Sequence, residues 1–228
     1  MSGRVPVVLV SGGNRGIGLE ACRALAAGGA RVLMGSRDLA DGKRAAAEIG
    51  KGVEAVALDV TDPKSVDALK ARIEDEFGAL DALVNNAGVY SKANALETND
   101  SEIQAVLAAN LMGAWRMCRA FAPAMVKKGR GRIVNVSSGM GALSSMDAGS
   151  AAYRVSKAAL NALTLTLAAE LRPAGVAVVS LCPGWVRTRM GGETAPRSPE
   201  LAGKTVADAV LADSRTAVFI RDGQELAW

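Results

Sequence analysis

Histidine is absent from all 228 residues, so a zinc site would need an unusual ligand set and no metal is expected. Aromatic residues are scarce, at 4% of the chain. The core must then be built from Ala, Val, Leu and Ile, as buried parallel sheets usually are. Three cysteines, Cys22, Cys118 and Cys182, show no paired spacing, which fits reduced thiols in a cytoplasmic protein. No apolar run approaches the roughly 20 residues that cross a bilayer. The opening Met1-Ser-Gly-Arg-Val-Pro6 does not read as a signal peptide. Concentrated charge is missing too. Lys and Arg number 27 against 23 Asp and Glu, a net +4, and the cations are scattered. A solvated surface is expected, with no nucleic-acid or membrane partner.

What is present is alternation. Half the residues are apolar, and a chain of this length can bury one sizeable core. Short β-branched runs are predicted as strands at Val5–Val10, Arg31–Ser36, Val53–Asp59, Leu80–Val84, Arg132–Ser138, Val176–Cys182 and Ala217–Arg221. Helices are predicted after the Gly12–Gly18 turn, over Asp38–Ile49, from Pro63 to Phe77, over Asp100–Lys127 with a bend at Pro123, over Ala151–Leu171 and near Thr205–Ala212. Residues 139–150 read as a Gly/Ser/Ala-rich loop and 183–199 as irregular. There are no repeats and no linker, so residues 1–228 form one domain with a short flap at about 185–204. Alternating strands and helices predict an α/β fold: a doubly wound, Rossmann-type parallel sheet of about seven strands with helices on both faces. In such a sheet the binding crevice lies at the carboxyl ends of the strands. The loops holding Gly12–Gly18, Asn85–Gly88, Ser138 and Pro183-Gly184 should meet there.

Tyr153 and Lys157 stand four apart on a predicted helix, and so share a face. A phenol is a poor acid or base at neutral pH, and a neighbouring ammonium lowers its pKa. Such a pair suits proton transfer to or from an alcohol or ketone oxygen, although most Tyr-x-x-x-Lys pairs are surface neighbours. The first turn carries Gly12, Gly16 and Gly18, with an extra Gly13, between a strand and a helix. Backbone amides at a helix start seat a pyrophosphate. A ligand-free glycine turn is the plain alternative. An acidic residue about 20 positions on would hold a ribose hydroxyl, and an arginine a 2′-phosphate. Asp38 reads as a helix cap beyond the second strand. Ser36, Arg37 and Arg15 are left for the phosphate, which favours NADP over NAD, with Arg37 as an ordinary surface residue the alternative.

Together these residues resemble the short-chain dehydrogenase/reductase family in its compact branch, over nearly the whole chain. Ser11-Gly-Gly-Asn-Arg-Gly-Ile-Gly18 is similar to its T-G-x-x-x-G-x-G, with Ser11 keeping the hydroxyl of the usual Thr. Asn85-Asn86-Ala87-Gly88 matches its N-N-A-G, and Pro183-Gly184 its P-G after strand six. Cys182-Pro-Gly-Trp-Val-Arg-Thr188 and Trp228 most resemble NADPH-dependent carbonyl reductases. The resemblance implies a catalytic set of Asn110, Ser138, Tyr153 and Lys157. Tyr153 protonates the carbonyl oxygen, and Lys157 tunes it and binds the nicotinamide ribose. Ser138 polarises the carbonyl, with Ser137 the competing choice, and Asn110 holds a relay water. NADP would touch Gly12, Asn14, Arg15, Gly16, Ile17, Gly18, Ser36, Arg37, Asp59, Val60, Asn85, Ala87, Gly88, Tyr153, Lys157, Pro183, Gly184, Val186 and Thr188. Asn85 is implied beside the adenine-side ribose, and Thr188 at the carboxamide. Ser138, Met140, Leu143, Tyr153, Trp185 and Met190 would line an apolar substrate site, with Ala142 and Tyr90 nearby, unless the Met and Trp residues only pack the flap. Fourteen residues separate Ser138 from Tyr153, without the long insertion of the monomeric animal relatives, so a homodimer or homotetramer is expected. The implied function is NADPH-dependent reduction of a ketone or aldehyde. A 3-oxoacyl carrier-protein reductase and a non-catalytic NADP-binding regulator are the alternatives.

Overall fold

The computed structural model describes residues 5–228; Met1 to Arg4, part of the segment read as carrying no leader, lie outside them. One sheet runs through the molecule in the order β3-β2-β1-β4-β5-β6-β7-β8. Its strands are β1 (Val7–Ser11), β2 (Arg31–Ser36), β3 (Val53–Ala57), β4 (Ala82–Asn85), β5 (Gly131–Val136), β6 (Val176–Leu181), β7 (Phe219–Arg221) and β8 (Gln224–Glu225). All neighbours are parallel except β7 and β8. The chain order reverses between β1 and β4, which creates the switch point that doubly wound sheets use for binding.

The helices are α1 (Gly16–Ala27), α2 (Leu39–Ile49), α3 (Pro63–Phe77), α4 (Asp100–Leu107), α5 (Ala114–Lys128), α6 (Ala151–Leu171) and α7 (Pro199–Leu211). Two apolar layers flank the sheet. Leu9, Leu33, Leu83, Ile133 and Val178 face α3 and α5 through Ile73, Met117 and Phe121. Val8, Val10, Met34, Val134 and Val179 face α1 and α7 through Ala21, Leu25 and Val206. Successive strand residues go to opposite layers, so each central strand is buried on both sides. Every residue of β1 is buried.

Three expectations need correction. The long helix is not broken at Pro123, which lies inside α5. It is interrupted instead by a π-helical stretch, Ala108–Gly113, which contains Asn110. The last helix begins at Pro199, not near Thr205. Ser198 caps it by accepting from the Leu201 amide at 3.3 Å, and Pro199 occupies the first turn, where a missing N–H costs nothing. The flap therefore closes earlier than read. The eighth strand is an addition to the expected seven. Asp222 and Gly223 both have positive φ, 51° and 77°, as a two-residue hairpin turn requires.

Candidate active site

The glycine turn is shaped by contact. A Cβ on Gly18 would lie 2.2 Å from the Gly12 carbonyl oxygen and 2.5 Å from Asn86 Nδ2. Gly12 and Gly16 have φ of +62° and +54°, which side chains rarely adopt. Asn86 staples this turn to the loop after β4. Its side-chain amide donates to the carbonyls of Ser11 and Gly12, both at 3.0 Å. Ser11 Oγ accepts from the amides of Asn86 and Ala87 at 3.0 and 3.1 Å, so the hydroxyl it shares with threonine does the bonding. The sequence pattern points to Asn85 and gives no separate signal for Asn86. The Asn85 side chain turns into the core, donating to Asn135 Oδ1 at 2.8 Å and to Cys118 Sγ at 3.3 Å. A place for that side chain beside a ribose is therefore corrected; only its backbone can face the crevice.

The start of α1 fits an anion. Arg15 stands at its N-cap without a side-chain cap bond, and the first turn has no acidic residue. Asp38, Asp62, Asn99 and Ser198 do cap α2, α3, α4 and α7. The amides of Gly16, Ile17 and Gly18 thus face the crevice without that competitor, beside Asn14. Arg15 is held below the usual guanidinium range by partial burial and then by repulsion from Arg189 and Arg37, against an opposing pull from Asp41. Three cations gather here, and Arg189 was not foreseen. Ser36 is buried, its hydroxyl donating to the Asp38 carbonyl at 2.6 Å. That donor holds the turn, so a bond from it to a phosphate is not what the structure gives. The Asp38 carboxylate accepts from Ala40 and Asp41 amides, the cap that the sequence suggested.

At the end of β3, partial burial pushes the Asp59 carboxyl up. The Thr61 hydroxyl and amide, with Arg37 and Arg116 beyond, outweigh this and hold it below its ordinary value. Val60 is buried against Gly113, and its carbonyl accepts from Arg116. On the far side, Thr188 lies over the glycine turn: a Cβ on Gly16 would meet its Cγ2 at 3.3 Å. Gly184 has φ +80°, and a Cβ there would meet Arg197 Cδ at 3.0 Å. Val186 is buried and bridges to Arg197, while Arg197 pairs with Asp222 and donates to Thr205. This clasp ties the segment after Pro183 to α7 and the β7–β8 turn.

Asn110, Ser138, Tyr153 and Lys157 converge between these loops. The Ser138 hydroxyl lies close enough to Tyr153 to lower its pKa and accepts from the Met140 amide at 3.2 Å. Ser137 is buried and donates to the Lys157 carbonyl, so of the two serines Ser138 is the one at the phenol. Cys182 Sγ accepts from the Gly139 amide at 3.1 Å. Beneath this loop, Cys182 and Ala142 pack with Phe219, Leu226 and Trp228. Lys157 is 5% exposed, with Nζ 5.7 Å from the Tyr153 ring centroid and donating to the Val136 carbonyl at 2.8 Å. Asn110 Oδ1 accepts from the Val89 amide at 2.8 Å, while its Nδ2 donates to the Val89 carbonyl at 2.9 Å and to Ser156 Oγ at 3.0 Å. Both ends of that side chain are taken.

The electrostatics correct one expectation. Burial pushes the Tyr153 phenol up to about 12, the nearby Ser138 hydroxyl opposes this, and Cys182 and Tyr90 add to the rise. Burial pushes the Lys157 ammonium down to about 8. Removal from water dominates at both groups. Leu143, Trp185 and Met190 are exposed at 71, 58 and 44%, with Met140 half-buried and Trp185 Nε1 donating to the Gly191 carbonyl at 2.8 Å.

A family profile described as short chain dehydrogenase matches residues 6–198. The chain belongs to the short-chain dehydrogenase family. The galactitol 2-dehydrogenase (L-tagatose-forming) of Cereibacter sphaeroides is 42% identical over 182 residues, 79% of this chain and 71% of that protein. A 3-oxoacyl-[acyl-carrier-protein] reductase of Vibrio cholerae is 36% identical over 184 residues, 81% and 75% of the two chains. Among solved structures, the NADPH-bound carbonyl reductase from chicken fatty liver superposes with a TM-score of 0.89 at 29% identity, over 99% of this chain and 100% of its own. The Drosophila melanogaster carbonyl reductase Sniffer gives 0.88 at 29%, with the same coverage. This short-chain dehydrogenase is accordingly an oxidoreductase of the alcohol–carbonyl class.

Proposed function

We propose that the protein reduces ketones or aldehydes with NADPH, Tyr153 acting as general acid. The observation that carries this reading is the buried Tyr153 phenol, near Ser138 and beside Lys157 at the carboxyl end of the sheet. When bound, the nicotinamide supplies a hydride to the carbonyl carbon. Tyr153 gives its proton to the carbonyl oxygen, completing the alcohol. Ser138 donates to the same oxygen as charge develops on it. Lys157 supplies positive charge behind the phenol and binds the ribose. Because the Asn110 side chain is fully engaged, a relay through this residue runs by its backbone carbonyl, which the π turn displaces from the regular helical ladder.

The amides of α1, with Asn14, Arg15 and Arg37, favour a doubly phosphorylated dinucleotide carrying a further 2′-phosphate. No acidic side chain stands free at the end of β2, since Asp38 is spent as a cap. Asp59 and Val60 flank the adenine, and Ala87, Gly88, Pro183, Gly184, Val186 and Thr188 complete the cradle. The exposed apolar side chains of Leu143, Trp185 and Met190 suit an apolar or aromatic carbonyl. The working form is a homodimer or homotetramer in the cytoplasm.

Initial rates with NADPH and NADH across ketones, aldehydes, keto acids and acyl thioesters test the reading. Turnover with NADPH and apolar carbonyls is expected. Tyr153→Phe should retain dinucleotide binding and lose about 100-fold or more in kcat, the scale of general acid catalysis. Arg37→Ala should raise the KM for NADPH and leave that for NADH nearly unchanged. Full activity of Tyr153→Phe would refute the mechanism, and a preference for small charged keto acids would refute the substrate class. Thioester turnover would favour the carrier-protein reading, which the Vibrio relative supports.

A further inference from the structure

Tyr90 follows the Asn85–Gly88 loop, and none of the roles above uses it. Its ring meets that of Tyr153 edge-on, with centroids 4.9 Å apart and planes at 76°. Its hydroxyl lies 2.7 Å from Ser150 Oγ. Ser150 departs from an ordinary helix start in two ways. Its backbone is left-handed, at φ 52° and ψ 40°, in a residue that carries a Cβ. It also occupies the N-cap of α6 without making the cap bond for which serine is favoured there. The left-handed backbone takes Ser150 out of capping geometry, and its buried hydroxyl is bonded to Tyr90 instead.

The backbone around the pair is tied to the same place. The amides of Ser150 and Ala151 donate to the carbonyls of Lys92 and Ala93 at 3.3 and 3.0 Å. Val89, one residue before Tyr90, is bonded in both directions by Asn110. The strip from Val89 to Ala93 thus stands between the π turn and the start of α6. Tyr153 is the third residue of that helix.

We propose that Tyr90 and Ser150 form a latch that sets the position of the Tyr153 phenol, with Tyr90 a positioning residue for the proton donor. This inference rests on the reading of Tyr153 as general acid. A static acid must point at the carbonyl oxygen, and small misplacements are expensive in rate. The Tyr90 ring bears on the phenol from one side while its hydroxyl holds the first turn of α6, so a single side chain fixes both the ring and the helix that carries it.

The test uses the full chain and four variants: Tyr90→Phe, Ser150→Ala, their double mutant and Ser150→Gly. Each single change is expected to lower kcat with NADPH and an apolar ketone by about 10-fold, as lost orientation does. KM and dinucleotide affinity should stay close to wild type. The double mutant should lose no more than either single, since both remove one bond. Ser150→Gly accepts the positive φ freely, so it should match Ser150→Ala in rate yet unfold at a higher denaturant concentration. Hydrogen exchange at the start of α6 should quicken in Tyr90→Phe and in Ser150→Ala without substrate present.

Wild-type kcat in Tyr90→Phe, losses that multiply in the double mutant, or an effect confined to KM would overturn the latch; the last would make Tyr90 a substrate wall. Should the wild type reduce no carbonyl, the reductase reading fails by itself. The exchange measurement then still decides the latch, quickened exchange supporting it and unchanged exchange refuting it.

Discussion

Lys157 shows how one residue can be costly to the fold and useful to the site. It is 5% exposed, and burial alone pushes its ammonium from 10.5 to about 8. Between those values the unfolded chain binds the proton and the folded chain has released it. Stability contributed by this group therefore rises with pH across about 8 to 10.5, and its penalty is fully present below 8. Lys157→Met keeps most of the volume and removes the charge. It is expected to be more stable near neutral pH, by less than the roughly 3 kcal/mol that the shift corresponds to, because the Val136 carbonyl loses its donor. That advantage should shrink above pH 8, while turnover is lost. Urea unfolding of both forms at about pH 7 and pH 10 checks the sign. The Tyr-x-x-x-Lys spacing was legible in the sequence. The balance of burial against charge was not, because desolvation depends on what covers the pair, and the cover comes from β5, β6 and the loop before Tyr90.

At the scale of elements, α5 continues directly from the π turn, and among the described residues two α-helices that start from a loop, α1 and α6, lack a side-chain cap. Those two build the site. α1 leaves its first amides to the crevice, and α6 gives up its serine cap to Tyr90. The glycine turn ahead of α1 is the tightest fit of the crevice. Gly18→Ala places a methyl 2.2 Å from the Gly12 carbonyl oxygen and 2.5 Å from the Asn86 amide. The turn must open and the staple to Asn86 must break. We expect a loss of about 2 kcal/mol or more in stability, as for other strained backbone contacts, together with weakened dinucleotide binding. Fluorescence titration with NADPH and denaturant unfolding read the two effects separately. The strand, turn and helix of this region are legible in the sequence because glycine spacing and β-branched runs are local signals. The π turn at Asn110 and the cap at Ser198 differ from expectation for separate reasons. The first has no local signature, whereas Ser198-Pro199 is a helix-start pattern that stands in plain view.

On the whole-molecule scale, α5 and α6 pack together through Ala114, Leu160 and Leu163 but leave large apolar groups in water. Met112, Trp115 and Val155 are 46, 43 and 58% exposed, and Leu165 on α6 is 38% exposed. We expect the chain to sediment as a dimer or tetramer, and Trp115→Glu to shift it toward a smaller species. Sedimentation velocity at two protein concentrations checks this, and a wild-type monomer would contradict it. Among the described residues no helix is long and apolar enough to cross a membrane.

Alternating runs of β-branched and helical residues were enough to determine the doubly wound sheet, because burial on both faces leaves a strand no polar alternation to hide. Motif spacing was enough to bring Gly12–Gly18, Asn85–Gly88, Ser138 and Tyr153 to one end of that sheet, because parallel strands point all their carboxyl ends the same way. Which side chain of each loop faces the crevice was a different matter. Asn86 rather than Asn85 staples the turn, Ser138 rather than Ser137 meets the phenol, and Ser36 turns inward to Asp38. Adjacent residues at a strand end point to opposite sides, so a shift of one position exchanges core for crevice. Only the tertiary packing decides that register, and with it the burial that raises the Tyr153 phenol and the contact that Tyr90 makes with it.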